Sequence, residues 1–513
     1  MTNRDTAAAW EYHNATKHTY WSVRLETHQL DWANEPLPFK LYRGLEPIRL
    51  PRDLTATDVP CLEAIACPDY PAEKEAPDLA TLASLLYFSA GITKRIRYPG
   101  GDIYFRAAAC TGALYHIDLY LVCGDLPGLP AGVYHFGPHD FALRRLREGD
   151  YRSVLVAASG GEPSLAEAPA ALVFASTFWR NAWKYRARTY RHCFWDSGTI
   201  LANLLAIAAA HRLPARVVLG YAEAPVDHLL GLDGRREASL FLVALGKGAP
   251  VVGGPPESLP PLALQTVPVS ARQVEYPAIV AMHRASSLES GAEAARWRGE
   301  PPPLPLPAPS GPLFSLQPRE GSASETVEAV VLRRGSTRRF DRARSIGFDE
   351  LSTVVRAASR GIPADFLPAR GLGLNRLFLL VHAVEGLPSG AYLYRQEAEA
   401  LELLREGDFR TYGGYLALEQ PLGADACADL FLLSPLGPVL ERFGNRGYRA
   451  AQLEAGTVGG KVYLAAYALG RGATGLTFYD DDVVSFFSPA ARDHAVMFLT
   501  AVGVPRRARR RSR

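Results

Sequence analysis

The sequence predicts an α+β fold, a mixed sheet flanked by helices, present twice in one chain. Two observations carry that prediction: a long-range internal repeat, and the order in which helix-like and strand-like segments follow one another. GLPAGVYHF at 128–136 returns as GLPSGAYLY at 386–394, LREGDY from Leu146 returns as LREGDF from Leu404, and the YR at Tyr190 returns at Tyr448. The offset is constant, since 386 − 128, 404 − 146 and 448 − 190 all give 258. Solenoid repeats recur every ~20 to 50 residues, so this spacing marks one domain duplicated and fused, an intramolecular pseudo-dimer. A site built across a two-fold interface draws different residues from each partner. Each half of a fused pair can therefore lose what the other supplies.

The two halves, 77–247 and 325–505, show the same succession of elements. Each opens on an apolar helix (Leu79–Ala90; Phe348–Ala358) and continues with a strand (Asp118–Val122; Leu377–Val381) and a hairpin-like pair through GLPxGxY. A further strand (Ala171–Ser176; Asp429–Ser434), a long helix (Asp196–His211; Glu454–Leu469) and a closing strand (Ser239–Leu245; Ala495–Val502) complete each half. Helices interleave with short strands without strict βαβ alternation, which is the α+β pattern. Between the halves, 248–324 contains PVVGGPPESLPP and EPPPLPLPAPSGP, and prolines at that density are expected to run as an extended connector. Residues 1–76 form an extension without a counterpart in the repeat, and 506–513 form a basic tail.

Composition narrows the function classes. At 513 residues, 48% hydrophobic and 21% charged, the chain has the make-up of a soluble globular protein. Its net charge of +3 rests on the tail, because removing Arg506, Arg507, Arg509, Arg510, Arg511 and Arg513 leaves 3 − 6 = −3. The body therefore carries no general attraction for nucleic acid. The six cysteines are scattered and form no CxxC pair, which argues against a zinc ribbon or a disulfide framework and fits a reducing, cytoplasmic setting. The amino terminus lacks the apolar core of a signal peptide. The most apolar helical stretch, Ile200–Ala210, stops at His211, short of the ~20 residues of a membrane span.

Two motifs point elsewhere than they first read. Gly470, Gly472 and Gly475 spell the dinucleotide fingerprint, but they follow a helix and lead into a strand, the reverse of what that fingerprint requires. A helix C-cap and the turn after it explain them. His135 and His139 straddle a Gly-Pro turn and make a poor metal pair.

The chemistry begins at RRGSTRRF, 333–340. Arginines on both sides of a Gly-Ser pair offer bidentate donors, a hydroxyl and close backbone approach, a set suited to a phosphate monoester; the alternative is a solvated basic turn. In this spacing Arg334, Gly335, Ser336 and Arg338 resemble the R-x-S-x-R flavin-phosphate motif of the nitroreductase superfamily. In the first half, CTGALYHIDLYLV from Cys110 is similar to the small-residue block of SagB-type dehydrogenases, flavin enzymes that oxidise azolines in ribosomal peptides. The resemblance extends to GLPxGxYHF, LREGD and the segment closing the first half. It implies two fused nitroreductase-like domains, FMN as cofactor, and a small-molecule or modified-peptide substrate, with a cyclodehydratase as partner.

Differences between the halves follow the same resemblance. The place of the phosphate motif in the first half reads LEAIACPDYP, with Glu63 and Asp69 and no cation, which would repel a phosphate. The second half's version of the small-residue block is PARGLGLNR, with Arg370 and Leu372. The second half thus keeps what the resemblance assigns to holding the flavin: Arg334–Arg338, Gln420, the entry Gly475, Leu476 and Thr477, and Arg506. The first half keeps the covering residues Cys110, Thr111, Gly112, Ala113 and Leu114. One complete FMN site and one decayed site are expected. Lys184-Tyr185 matches the Lys-Tyr dipeptide of thiazoline and oxazoline oxidases, and its counterpart at the same offset is Arg442-Phe443. The lysine is expected to be desolvated and to act as base, with the tyrosine as donor or relay. Three readings follow: an FMN-dependent dehydrogenase of azoline-like C–N substrates, an NAD(P)H-dependent reductase of nitro compounds, quinones or flavins, or a non-catalytic flavin- or peptide-binding module.

Overall fold

The computed structural model describes residues 2–54, 56–66, 74–98, 101–319, 321 and 325–506. Two seven-stranded sheets form its frame. The first runs Pro47–Arg49, Ala142–Glu148, Gly132–Gly137, Ile117–Cys123, Ala170–Thr177, Glu237–Leu245, Ala215–Val218. The second runs Leu313–Ser315, Ala400–Glu406, Gly390–Arg395, Arg376–Val381, Ala428–Ser434, Ala495–Gly503, Gly472–Leu476, the same order repeated. Central strands such as Ile117–Cys123 and Ala428–Ser434 are buried at every position, which is why they read as unbroken apolar runs rather than alternating ones. The α+β class holds, but neighbours within both sheets are antiparallel throughout, not mixed. Hairpins or return helices join successive strands, so the parallel crossover that a mixed sheet needs does not arise there.

Two pieces outside the expected repeat turn out to repeat. The strands Pro47–Arg49 and Leu313–Ser315 edge equivalent sheets, and the helices Cys61–Ala66 and Val327–Arg333 follow them at equal distance, since 313 − 47 and 327 − 61 both give 266. Both helices pack against the long helices Thr189–Ala210 and Arg446–Ala468, and each also reaches a helix of the opposite half, Cys61–Ala66 touching Phe348–Ala358 and Val327–Arg333 touching Leu79–Ala90. The connector is not extended throughout. Its proline runs are irregular, but the stretch between them folds into helices Pro277–Ala285 and Gly291–Trp297. Proline at the first turn of the former starts a helix instead of preventing one, because that position has no backbone partner to lose.

The halves meet along their long helices, Thr189–Ala210 and Arg446–Ala468. Both begin seven or eight residues before the expected starts at Asp196 and Glu454 (196 − 189 = 7; 454 − 446 = 8). Their first turns carry arginines that look solvent-facing in sequence but are buried in ion pairs. Arg188, at the N-cap of the first helix, and Arg191 within it bind Asp480, at 3.2 and 2.6 Å. Arg446 of the second binds Glu223 at 2.5 Å, and Arg449 binds the same carboxylate. Each acid belongs to the half opposite its arginines, so the two clusters lock the interface reciprocally. Tyr12, from the N-terminal helix Ala7–Ala15, stands edge-on to Tyr190 and Tyr448, with ring centres 5.6 and 5.9 Å away. The run Phe178–Ala210 has the length and hydropathy of a membrane span, unlike the shorter stretch expected, yet 89% of its most apolar window is buried in the protein, as in a core helix.

Candidate active site between the two halves

The basic loop 334–340 leaves the helix Val327–Arg333, whose first turn is capped by Thr326. The second long helix pins this loop. Tyr463 Oη lies 3.1 Å from Ser336 Oγ and accepts the Gly475 amide at 2.5 Å, while Thr337 donates its amide to Ala473 at 2.9 Å. Loop and edge strand Gly472–Leu476 are thereby held together, with Gly475 exposed between them. The Arg506 amide bonds the Arg339 carbonyl at 3.0 Å, so the start of the tail returns to the loop. Arg338, Arg339 and Arg506 are exposed at this rim, and none forms an ion pair among the described residues. The remainder of the tail, and Cys67, Asp69 and Pro71 of the first half's counterpart, lie outside the described residues.

The covering loop of the first half is built around Asp196, from the first long helix. Its Oδ1 accepts from the amide and hydroxyl of Thr111 at 2.9 and 2.7 Å, and its Oδ2 faces Cys110 Sγ at 3.1 Å and His116 Nε2 at 3.0 Å. Gly112 adopts φ +65°, and a Cβ there would stand 2.8 Å from the Tyr185 hydroxyl. Only glycine lets the loop and Tyr185 meet so closely. Tyr185 ends the helix Phe178–Tyr185 and packs edge-on to His192, and burial, then Asp196, raises its phenol above the ordinary range. Lys184 is exposed, its Nζ 5.4 Å from the centre of the Tyr185 ring. The desolvation expected of a base is thus not supplied by the protein's own side chains, because Lys184 lies on the outer side of an amphipathic helix whose Trp179 and Trp183 turn inward.

Arg334 joins the two loops. Its Nε donates to the Ala107 carbonyl at 2.9 Å and its Nη2 to Arg106 at 3.3 Å, just ahead of Cys110, while its Nη1 is buried without a hydrogen-bond partner among the described residues. Burial lowers the pKa of Arg334 and lifts that of Tyr115 to about 12. Thr477 Oγ1 is likewise buried and unpartnered. Leu114 continues the covering loop beside Ala113, which is left-handed at φ +56°, and Leu476 is buried in the edge strand. Gln420 stands apart: it caps the helix Pro421–Asp425 and turns its amide to the Ala417 carbonyl at 2.9 Å. An exposed cationic rim, an unpartnered guanidinium nitrogen, an unpartnered hydroxyl and a glycine-lined wall fit a flavin phosphate and ring.

The pseudo-symmetric position is closed by the chain itself. There the Val217 amide bonds Pro363 at 2.8 Å, and the Asp365 carboxylate accepts the amides of Leu219 and Gly220, each at 2.9 Å. Val217 is the counterpart of Gly475 (475 − 258), and Leu205 that of Tyr463 (463 − 258). The first half therefore lacks the hydroxyl that organises the basic loop, and its edge strand is already paired. Sequence reasoning missed Asp196, Tyr463 and Asp365. For Asp196 the signal was present, since Glu454 is an acid at the same offset and holds the amides of Gly373 and Leu374 at 2.6 and 2.9 Å.

No family model matches the chain. The microcin B17-processing protein McbC of Escherichia coli is 31% identical over 140 residues, 26% of this chain and 52% of that protein, so the match spans about half the relative's length. The nitroreductase-like protein MJ1384 of Methanocaldococcus jannaschii is 22% identical over 169 residues, 33% of this chain and 80% of that one. The crystal structure of a nitroreductase-like protein from Anabaena variabilis superposes with a TM-score of 0.79 at 26% identity, covering 97% of this chain and 99% of the other. Over almost its whole length the chain thus has the fold of a nitroreductase-like protein, as a fused pair of nitroreductase-like halves, and parts of it are similar in sequence to relatives of this kind.

Proposed function

We propose that the chain is an FMN-dependent oxidoreductase that dehydrogenates azoline-like C–N rings, carried in modified peptides, at one site per chain. The observation that carries this reading is Arg334, which reaches from the basic loop of the second half to the carbonyls of Arg106 and Ala107 beside the covering loop of the first. Bound FMN supplies the hydride acceptor of such a reaction. In this reading Ser336, Arg338 and Arg506 would hold its phosphate, with Arg334 Nη1 and Thr477 Oγ1 as inner polar contacts and Gly112 as the close wall. Lys184 takes the carbon-bound proton, and a substrate seated over it strips it of water. Tyr185, held against Gly112, donates or relays a proton.

The likeness to a microcin-processing protein supports a peptide carrier, and a ring of this type requires a cyclodehydratase to make it first. The test is anaerobic: a synthetic thiazoline peptide should bleach the flavin absorbance of the purified chain, which should release one FMN per chain. Bleaching by NADH and not by the peptide would replace this reading with the reductase one.

A further inference from the structure

We propose that Asp196 is a positioning residue that fixes Tyr185 through the covering loop, an inference resting on the function proposed above. Four donors converge on this carboxylate: Thr111 N–H and Oγ–H, Cys110 Sγ–H and His116 Nε2–H. With Nε2 donating, His116 Nδ1 accepts from Ser176 Oγ at 2.9 Å, so the imidazole is oriented at both nitrogens. Asp196 is 3% exposed, and nothing in solvent competes for it.

The loop it holds would not keep its shape alone. Gly112, Ala113 and Tyr115 have φ of +65°, +56° and +43°, and two of the three carry side chains that disfavour this region. At Ala113 and Tyr115 such conformations are strained and persist only where the surroundings dictate them. Asp196 dictates them from the helix side. On the other side the loop presents Gly112 to the Tyr185 hydroxyl, at the distance a Cβ would forbid. Tyr185 is therefore placed by a loop whose geometry is set by Asp196, although the carboxylate and the phenol share no direct hydrogen bond. The groups facing the phenol are Asp196 and Cys110 across the loop, His192 against its ring and Lys184 from its own helix.

A double-mutant cycle in the holoenzyme tests this, with the thiazoline peptide as probe. Asp196→Asn should slow flavin reduction about 10- to 100-fold with little change in KM, and in a Tyr185→Phe background it should add less than about twofold, because both changes remove one function. Independently of activity, the 13Cζ signal of Tyr185, assigned by its loss in Tyr185→Phe, should move in Asp196→Asn, and its phenol should titrate at lower pH. Additive losses, or an unmoved Tyr185 signal, would overturn the proposal. If Asp196→Asn does not fold, Thr111→Val removes one of the four donors and must show the same non-additivity. If Tyr185→Phe leaves the rate unchanged, the catalytic reading falls and the NMR comparison still decides the positioning.

Discussion

Gly198 and Gly456 stand back to back at the crossing of the two long helices, and they are each other's counterparts (456 − 198 = 258). A Cβ on Gly198 would lie 2.6 Å from the Gly456 carbonyl carbon, and one on Gly456 would lie 2.7 Å from the Phe194 carbonyl oxygen. The pseudo-two-fold thus passes where backbone touches backbone, and the spacing of the halves, with the site between them, depends on two missing side chains.

Gly198→Ala and Gly456→Ala should each lower the melting temperature, and by similar amounts. Helix propensity favours alanine by roughly 1 kcal/mol, but forcing a methyl against backbone costs about 1–3 kcal/mol and moves both halves of the site. FMN should dissociate faster from each variant. Gly437→Ala, in the helix Leu436–Phe443 with nothing within 4 Å, is the control and should be neutral or stabilising. A destabilised control, or unaffected helix-crossing variants, would contradict the packing argument.

The plug at the second site has a pH signature. Burial raises the Asp365 carboxyl to about 6, and the amides of Leu219 and Gly220 only partly offset this. A folded-state pKa above the unfolded value of about 3.9 means that the folded chain holds the proton more tightly. The stability this contributes is fully present below about pH 4 and is lost as pH rises through about 6, at most about 3 kcal/mol. Melting temperatures of wild type minus Asp365→Asn should fall between pH 4 and 6.5 and then level off. A difference that does not vary with pH would show that Asp365 is no buried acid in solution.

Much of this architecture was legible in the sequence. The helices Leu79–Ala90 and Phe348–Ala358 have the expected limits, and the central strands lie within one or two residues of theirs, because both signals are local apolar periodicity. What escaped depends on partners distant in the chain. Arg191 and Arg449 look like surface charges until Asp480 and Glu223 arrive from the other half. The edge strand Pro47–Arg49 is three residues long, too short for a period; only PRD at 51–53 against PRE at 318–320 hinted that its surroundings repeat. Within the site, residue identities carried the anchor and the cover. Tyr463 and Asp196, which aim them, sit inside helices where a buried tyrosine or acid has no local signature.

The two arginines of the anchor should separate in their effects. Arg338 is exposed and makes no ion pair among the described residues, so Arg338→Ala should leave the melting temperature of the flavin-free chain unchanged. It should weaken FMN binding about 10- to 100-fold, the value of a charge-assisted contact of ~1.5–3 kcal/mol. Arg334→Ala also removes two hydrogen bonds between the halves and should lower both affinity and the melting temperature of the flavin-free chain. Equal behaviour of the two variants, or two FMN per chain, would remove the distinction between anchor and staple.

Lys184 and Tyr185 separate chemistry from binding. Lys184 is exposed, and its ammonium makes no ion pair among the described residues, so Lys184→Ala should leave the flavin spectrum and the melting temperature as they are. Reduction of the flavin by a thiazoline peptide under anaerobic conditions should slow by roughly 10²–10⁴-fold, the range for losing a general acid or base. Tyr185→Phe removes only the hydroxyl that faces Gly112 and should slow the same step while retaining FMN. The counterpart, Arg442→Ala, is a control, since Arg442 donates to the carbonyls of Trp297 and Arg298 at 3.1 and 3.0 Å and flanks the closed position. Its loss should cost some stability and leave the rate of flavin reduction nearly unchanged. Equal slowing by Lys184→Ala and Arg442→Ala would make the halves catalytically equivalent, against the closure by Asp365, and loss of FMN from Lys184→Ala would move that lysine from proton transfer to cofactor binding.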